Sequence, residues 1–525
     1  LPRADVLPAY TAAAVRAAEQ PLLEAGGGPE LMQRAAYGLA MGVVSVLRGR
    51  GCGVYGSHVA LLVGSGNNGG DALFAGAWLA GRGARAMALL TSTRTHPGAL
   101  AAFTKAGGLI LSVPEGSDRF CAQAAAADVI VDGLLGTGGH GGLREPAASI
   151  VARLCKIIPN NPAGPGPGPA ATSAPAVVAC DLPSGVDATT GEVHGPVLPA
   201  TLTVTFGAAK TGLLAAPGEQ LSGGATVVGL GIEDGLGTPD VLRLQTADLA
   251  ALLPRPEAAD QKYTRGVAGI VAGSADYPGA ALLAVAAASA CGPGMVRYLG
   301  PGAVAAALHV RNPEAVCTEG PPDSVRVQAW LAGPGIDGDR EQLARARQAL
   351  ASGLPTVVDA GALELVSRAA GAEQSHLVLT PHAGELAALL TRLGKETERA
   401  EVEAAPLAAA RDAAALTGAT VLLKGPTTFV ASPGGRTYSQ GDGTPSLATA
   451  GSGDTLAGIL VALLAMDTGR GQAAGADPPD ALAATAALAA AFHGRLGRYG
   501  TGAPLNAGML AGRIPAVWKG LSGAC

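Results

Sequence analysis

Short apolar runs alternate with Ala-rich stretches of helical length through the first half of the chain. Strands are expected at 58–64, 84–91, 108–113, 128–136, 176–181 and 202–207. Runs such as "HVALLVG" and "AVVACD" are apolar at nearly every position, which reads as strands of a parallel sheet covered on both faces. The alternation stops at "PNNPAGPGPGPAATSAP" (159–175), too rich in Pro and Gly for a packed element and read as an exposed insertion. After a Gly/Asp-rich boundary at 229–240 the pattern begins again. Strands are expected at 267–272, 295–299, 327–332, 355–359, 376–380 and 419–424, with a hairpin over 427–438. Helices are expected at 279–291, 339–351, 383–394, 402–416, 451–467 and 479–496, with a loop over 467–480. The expected architecture is α/β: two three-layer α/β/α domains, residues 1–235 and 240–525.

Composition narrows the class. The chain has 525 residues, too many for one ordinary core, and only 3% of them are aromatic, so Ala, Val, Leu and Gly must build the interior. A net charge of −5 argues against a nucleic-acid binder. Seven scattered cysteines without a C-x-x-C pair form neither a disulfide framework nor a zinc site, which fits a reducing cytoplasm. The opening "LPRADVLPAY" lacks the apolar core of a signal peptide. The richest apolar runs fall short of the ~18 residues a membrane span needs, so no membrane partner is expected.

Three strand ends in the first half carry polar chemistry. "VGSGNNGGD" (63–71) runs from a strand through a Gly-rich turn into a helix, with amides at Asn67 and Asn68 and a carboxylate at Asp71. The plain alternative is a capped helix start. "VDGLLGTGG" ends a strand with Asp132, and "CDLPSGVD" ends another with Asp181, Ser184 and Asp187. Oxygen-rich tips at Asn68, Asp132 and Ser184 suit a hard cation, and Asp181 is a candidate general base or acid. "NNGGD", "VDGLLGTG", "DLPSGVD" and "VTFGAAKTGLL", in this order, resemble the NAD(P)H-hydrate epimerase domain over about residues 5–235. The resemblance implies a Rossmann-like fold. It also implies substrate contact at Asn67, Asn68, Gly69, Gly70 and Asp71 and at 136–142 (Gly136, Thr137 and Gly138 foremost). Potassium is implied at Asn68, Asp132 and Ser184, and proton transfer at Asp181. Lys210 matches a motif lysine; the plain alternative is that it pairs with a local carboxylate.

The second half contains "LTPHAGELAAL" (379–389), "VLLKGPTTFV" (421–430) and "ATAGSGDTLAGILVALLA" (448–465). The last places Asp454 among glycines at a helix start, where free N–H groups attract anions. An N-cap is the plain reading. A base beside a phosphate nest is the catalytic one. A strand ending in "KGPTT" ahead of "GSGD" resembles the ribokinase-like fold, and "KYTRG", "YPGAA" and "TPHAGE" resemble ADP-dependent NAD(P)H-hydrate dehydratase over about residues 240–525. That resemblance implies hydrate contacts at Ala280, Gly335, His382 and Asp454. It assigns the adenine nucleotide to Lys424, Gly425, Pro426, Thr427, Thr428 and Gly453, with magnesium arriving on ADP. Two positions depart from the pattern: Gly361 stands where a second Asp is common, and "QKYTRG" lacks a His-Lys opening although Lys262 remains.

Together the resemblances imply one repair enzyme for NADHX and NADPHX, cytoplasmic and homo-oligomeric (dimer or tetramer), with Asp181 and Asp454 catalytic. Two rivals stand beside it at this stage. One is a hydroxymethylpyrimidine-type or sugar kinase fused to a binding domain; the other makes the first half a non-catalytic scaffold.

Overall fold

The computed structural model describes residues 6–139, 141–158, 174–369, 374–469, 478–500 and 502–523. Most of the insertion expected at 159–175, and the middle of the loop expected at 467–480, lie outside the described residues. The chain divides into two compact units, one running Pro8–Asp240 and the other built mainly from Val241 onward.

The first unit contains strands β1 (Leu7–Tyr10), β2 (His58–Val63), β3 (Arg85–Leu90), β4 (Leu109–Ser112), β5 (Val129–Gly133), β6 (Ala176–Cys180), β7 (Leu202–Phe206), β8 (Ala209–Lys210) and β9 (Gly224–Val228). Its sheet has the order β4-β3-β2-β5-β6-β7-β9 and is parallel throughout. Alternation along the strands divides the core. Val59, Leu61, Val63, Val129, Val131 and Val178 face one helical layer, including helices Gly28–Gly49 and Asn67–Ala80. Ala60, Leu62, Ile130, Val177 and Ala179 face the other, with helices Ser117–Ala125 and Ala147–Ile157. The strand order reverses between β2 and β5. A crevice opens at such a switch point beyond the carboxyl ends of the strands.

The second unit contains β10 (Val241–Arg243), β11 (Val267–Val271), β12 (Met295–Leu299), β13 (Val316–Thr318), β14 (Ala329–Ala332), β15 (Thr356–Val358), β16 (Leu377–Leu379), β17 (Thr420–Leu423), β18 (Thr428–Ala431) and β19 (Thr437–Gln440). The order is β13-β12-β11-β14-β15-β16-β17-β18-β19-β10, parallel from β13 to β17 and antiparallel from β17 to β19. Its switch point lies between β11 and β14. The helix Ser452–Gly469 is apolar on all sides because it is buried on all sides, packed against helix Pro278–Ala290.

Several elements differ from the sequence expectation. The helix expected at 402–416 is two helices, Arg399–Ala404 and Pro406–Thr417, because Ala405 takes φ −134° and ψ 59° ahead of Pro406. The hairpin expected at 427–438 is β18 and β19, which ends at Gln440. Strands β1, β8, β9, β10 and β13, and helices Ala12–Glu24 and Gly302–Arg311, had no expectation. Within the described residues no helix is long and apolar enough to cross a membrane.

The close approach of the two central helices rests on a missing side chain. A Cβ at Gly458 would stand 2.3 Å from the Ala284 carbonyl oxygen. Gly458→Ala should therefore destabilise the chain by about 1–3 kcal/mol despite its better helix propensity, read as a lower midpoint in denaturant unfolding.

Candidate active sites

In the first unit, the Gly-rich turn after β2 leads into helix Asn67–Ala80, whose cap residue Gly66 has no side chain to satisfy the first N–H groups. Gly69 lets that turn close on itself, since a Cβ there would stand 2.2 Å from the Gly64 oxygen. Asn68 donates its amide to the Cys180 carbonyl at 2.7 Å, tying the turn to the end of β6. Immediately after β6, Asp181 takes a left-handed backbone (φ 70°), unusual for a residue with a side chain and tolerated by Asp.

Asp181 is buried and fully engaged. Lys210 Nζ lies 2.6 Å from its Oδ1, which also accepts from the Thr205 hydroxyl at 3.1 Å. The Thr137 backbone N–H donates to Oδ2 at 2.8 Å, and the Thr137 hydroxyl donates to the same oxygen. Burial alone would raise the Asp181 carboxyl, but the Lys210 ammonium and the Thr137 donors outweigh it and hold the group below the ordinary carboxylate range. The partner of Lys210 is thus a local carboxylate, and that carboxylate is Asp181.

Asp71 is the opposite case. It is buried and its Oδ1 has no hydrogen-bond partner among the described residues. Burial, with the Asp181 and Glu19 charges adding to it, pushes its carboxyl well above the ordinary value. Two neighbouring carboxyls are thus driven in opposite directions, Asp181 downward and Asp71 upward. Groups whose environments drive their titrations apart are the signature of paired acid and base roles.

Of the three residues expected to hold a cation, Ser184 and Asp132 are joined directly. Ser184 donates its hydroxyl to Asp132 Oδ1 at 2.7 Å and its N–H to Oδ2 at 2.8 Å. A Cβ on Gly136 would stand 2.4 Å from Asn68 Oδ1, so the loop after β5 can pass this close only as glycine. Among the described residues no Lys, Arg or His pairs with Asp132, and burial raises its carboxyl against the Ser184 and Leu134 hydrogen bonds. A buried carboxylate, an amide oxygen and a hydroxyl without a protein counter-charge fit a monovalent cation. Gly138 stands apart, with nothing within 4 Å of where a Cβ would be.

Helix Ala12–Glu24 brings two residues that had no motif to announce them. Arg16 Nη1 donates to the Thr137 carbonyl at 2.7 Å. The Glu19 carboxyl is raised by burial, with the Lys210 and Asp181 charges acting on it in opposite directions.

In the second unit the switch point joins Ala280 and Gly335: a Cβ on Gly335 would stand 2.7 Å from that of Ala280. Further along the same sheet edge, Lys424 Nζ lies 2.9 Å from Asp359 Oδ1 and 3.7 Å from Glu385 Oε2. Thr380 donates its hydroxyl to the same Asp359 oxygen at 2.8 Å. Asp359 and Glu385 were not among the expected site residues, although an Asp closing the strand "TVVD" was a usable signal. His382 caps helix Ala383–Arg392. Its Nδ1 accepts from the N–H groups of Gly384 and Glu385 at 3.1 and 3.2 Å, so the ring proton sits on Nε2, on an exposed ring. His382 and Lys424 also pair through their backbones.

Asp454 lies in the first turn of helix Ser452–Gly469. Burial raises its carboxyl to about 6, the Asp359 and Glu385 charges adding to this and the Lys424 ammonium opposing it. A Cβ on Gly453 would stand 3.4 Å from Lys424 Nζ, so the lysine reaches the start of the helix. Gly425, Pro426 and Thr427 form the turn between β17 and β18, and Thr428 opens β18. At Gly361 a Cβ would stand 2.4 Å from Asp337 Oδ1, so the space beside that glycine already holds a carboxylate.

Comparison with known proteins follows the same division. The family model for the YjeF-related protein N-terminus matches residues 28–212, and that for NAD(P)H-hydrate dehydratase matches residues 268–513. The bifunctional NAD(P)H-hydrate repair enzyme Nnr of Mycobacterium tuberculosis H37Rv is 41% identical over 470 residues, 89% of this chain and 90% of its own. The NAD(P)H-hydrate epimerase of Clavibacter michiganensis is 41% identical over 236 residues, 44% of this chain and 93% of its own. A solved ADP/ATP-dependent NAD(P)H-hydrate dehydratase from Bacillus subtilis, co-crystallised with ATP and Mg2+, is 26% identical and covers 53% of this chain and 98% of its own, with a TM-score of 0.45. Both halves and nearly nine-tenths of the length are shared with bifunctional relatives, and the chain belongs to the family of bifunctional NAD(P)H-hydrate repair enzymes.

Proposed function

We propose that this chain repairs NADH and NADPH that have taken up water on the nicotinamide ring. Its first unit interconverts the R and S hydrates, and its second dehydrates the S form at the expense of ADP, giving NAD(P)H, AMP and phosphate. The observation that carries the reading is Asp454: a carboxylate raised to about 6, at a glycine-flanked helix start within reach of the half-buried Lys424. A base poised near neutrality beside an anion nest is what phosphorylating a hydroxyl requires.

In the second unit Ala280, Gly335 and His382 would hold the hydrate, and Lys424 to Thr428 with Gly453 the nucleotide. Asp454 takes the proton of the ring hydroxyl as its oxygen attacks the terminal phosphorus of ADP. The bond to the bridging oxygen breaks and AMP departs. Phosphate then leaves the ring carbon, expelled by the nitrogen lone pair, and loss of a proton from the neighbouring carbon restores the dihydronicotinamide. Magnesium would arrive on the ADP phosphates. Its charge would offset theirs.

In the first unit the hydrated carbon bears both the hydroxyl and the ring nitrogen. Asp181 takes the hydroxyl proton and Asp71 supplies one to the nitrogen, so the carbon–nitrogen bond opens to an aldehyde that can close on either face. Reclosure returns both protons. Asn67 to Asp71 and Gly136 to Gly138 would line the substrate. Asn68, Asp132 and Ser184 would hold potassium, whose charge would answer Asp132 and keep the two loops together. A homo-oligomer working in the cytoplasm completes the proposal.

The test supplies mixed-epimer NADHX to the full chain and follows dihydronicotinamide absorbance with and without ADP and magnesium, with the epimers resolved by chromatography. Complete ADP-dependent recovery, faster than spontaneous epimerisation allows, is expected. Asp454→Asn should lower NADH formation by about 10²–10⁴-fold while R/S exchange continues, and Asp181→Asn should lower exchange while the S fraction is still converted. Recovery that stalls at the S fraction would make the first unit a scaffold, and no recovery would overturn the reading. Replacing potassium by tetramethylammonium should slow R/S exchange reversibly in the wild type, and Asp132→Asn should abolish the response to added potassium.

A further inference from the structure

The closing turns of helix Pro478–Arg498 lie along the segment that leads into Asp454. A Cβ on Gly494 would stand 2.6 Å from the Asp442 carbonyl carbon, and one on Gly497 would stand 2.7 Å from Leu447 and Thr444 side-chain atoms. Arg495 Nε lies 3.1 Å from Asp442 Oδ1. Arg498 donates to three successive carbonyls, those of Gly441 (3.0 Å), Asp442 (2.6 Å) and Gly443 (3.1 Å). The last contact of this face falls on Ser452, the first residue of the catalytic helix, whose Oγ is 3.1 Å from His493 Nε2. Both residues are buried.

Helix Pro478–Arg498 is otherwise alanine- and leucine-rich through its buried length, so a polar ring at 493 has a cost an aliphatic residue would avoid. Burial holds the His493 imidazole down to about 4, with Lys424 contributing to the depression, so the ring is neutral at physiological pH. It brings hydrogen bonding without a charge that would compete with Lys424 for phosphate. Ser452, Gly453 and Asp454 are consecutive, so the tether at Ser452 governs where the first N–H groups and the Asp454 carboxylate point.

We propose that His493 is a positioning residue for phosphoryl transfer: through Ser452 it holds the first turn of helix Ser452–Gly469 in place before ADP arrives, while Arg495 and Arg498 hold the residues leading into it. The inference rests on the dehydratase reading above. Donors already aimed at developing charge need no reorganisation during the reaction, and displacements of about 1 Å in such sites cost on the order of 10²-fold in rate.

The experiment uses the full chain and mixed-epimer NADHX with ADP and magnesium, comparing wild type, His493→Leu, His493→Gln, Ser452→Ala and the Leu/Ala double variant. His493→Leu should lower kcat for dehydration by about 10- to 100-fold, with KM for ADP changed by less than about threefold. R/S exchange, which the first unit carries, should be unchanged, and the retained KM for ADP shows that the second unit is folded. His493→Gln should recover most of the loss, Ser452→Ala should match His493→Leu, and the double variant should be no worse than either. Unchanged kcat, an effect confined to KM, or a Gln variant no better than Leu would overturn the proposal. If His493→Leu fails to fold, Ser452→Ala and His493→Gln probe the same contact. An inactive wild type would overturn the dehydratase reading itself, and the inference with it.

Discussion

A carboxylate taken out of water keeps its charge only where a cation or several donors answer it, and both units are organised around one that is answered and one that is not. In the first, Lys210 and Thr137 hold the Asp181 carboxyl below the ordinary range, while Asp71, with no counter-charge among the described residues, is pushed well above it. In the second, Lys424 pairs with Asp359, and Asp454 is left raised to about 6. Buried lysine–carboxylate pairs contribute little net stability, because desolvation offsets most of their attraction. Here the pair adds to what burial already does to a neighbour, since the Asp181 and Asp359 charges raise Asp71 and Asp454 further. Removing Lys210 or Lys424 would alter the second carboxylate as well as the first.

The sheets make this arrangement possible. Parallel strands buried on both faces end together at one edge, so polar residues just past those ends converge without any single loop having to carry the site. Asp132, Asp181, Asp359 and Lys424 all stand at or directly after a strand end. Glycine then sets how closely the intervening turns pack: at Gly69 and Gly136 a Cβ would meet the Gly64 oxygen and the Asn68 amide, and at Gly335 it would meet Ala280. The low aromatic content is the same constraint seen from the core, where helices must approach to the distance that Gly458 and Ala284 require.

Much of this was legible in the sequence, for identifiable reasons. Central strands such as β2, β5 and β6 are apolar at nearly every position, and their ends carry the polar motifs that resembled known domains. Edge strands lacked that signal: β9 is exposed along most of its length, and β10 and β13 are three residues each. The break before Pro406 was visible as a proline and was read through. Arg16 and Glu19 reach the first site from a helix whose local sequence resembles any exposed amphipathic segment, so only the tertiary structure reveals them. His493 is a lone histidine in an alanine-rich helix that no motif marks, and its meaning depends on Ser452, 41 residues away in the chain.

The most direct measurement is an infrared pH titration of the full chain, subtracting Asp454→Asn from wild type to isolate one carboxyl. The protonated carbonyl band should grow with a midpoint of about 6 as pH falls, because burial and the charges of Asp359 and Glu385 disfavour the anion more than Lys424 favours it. A midpoint near the ordinary value of about 4 would contradict the account, leaving Asp454 an exposed helix cap with no base poised for transfer.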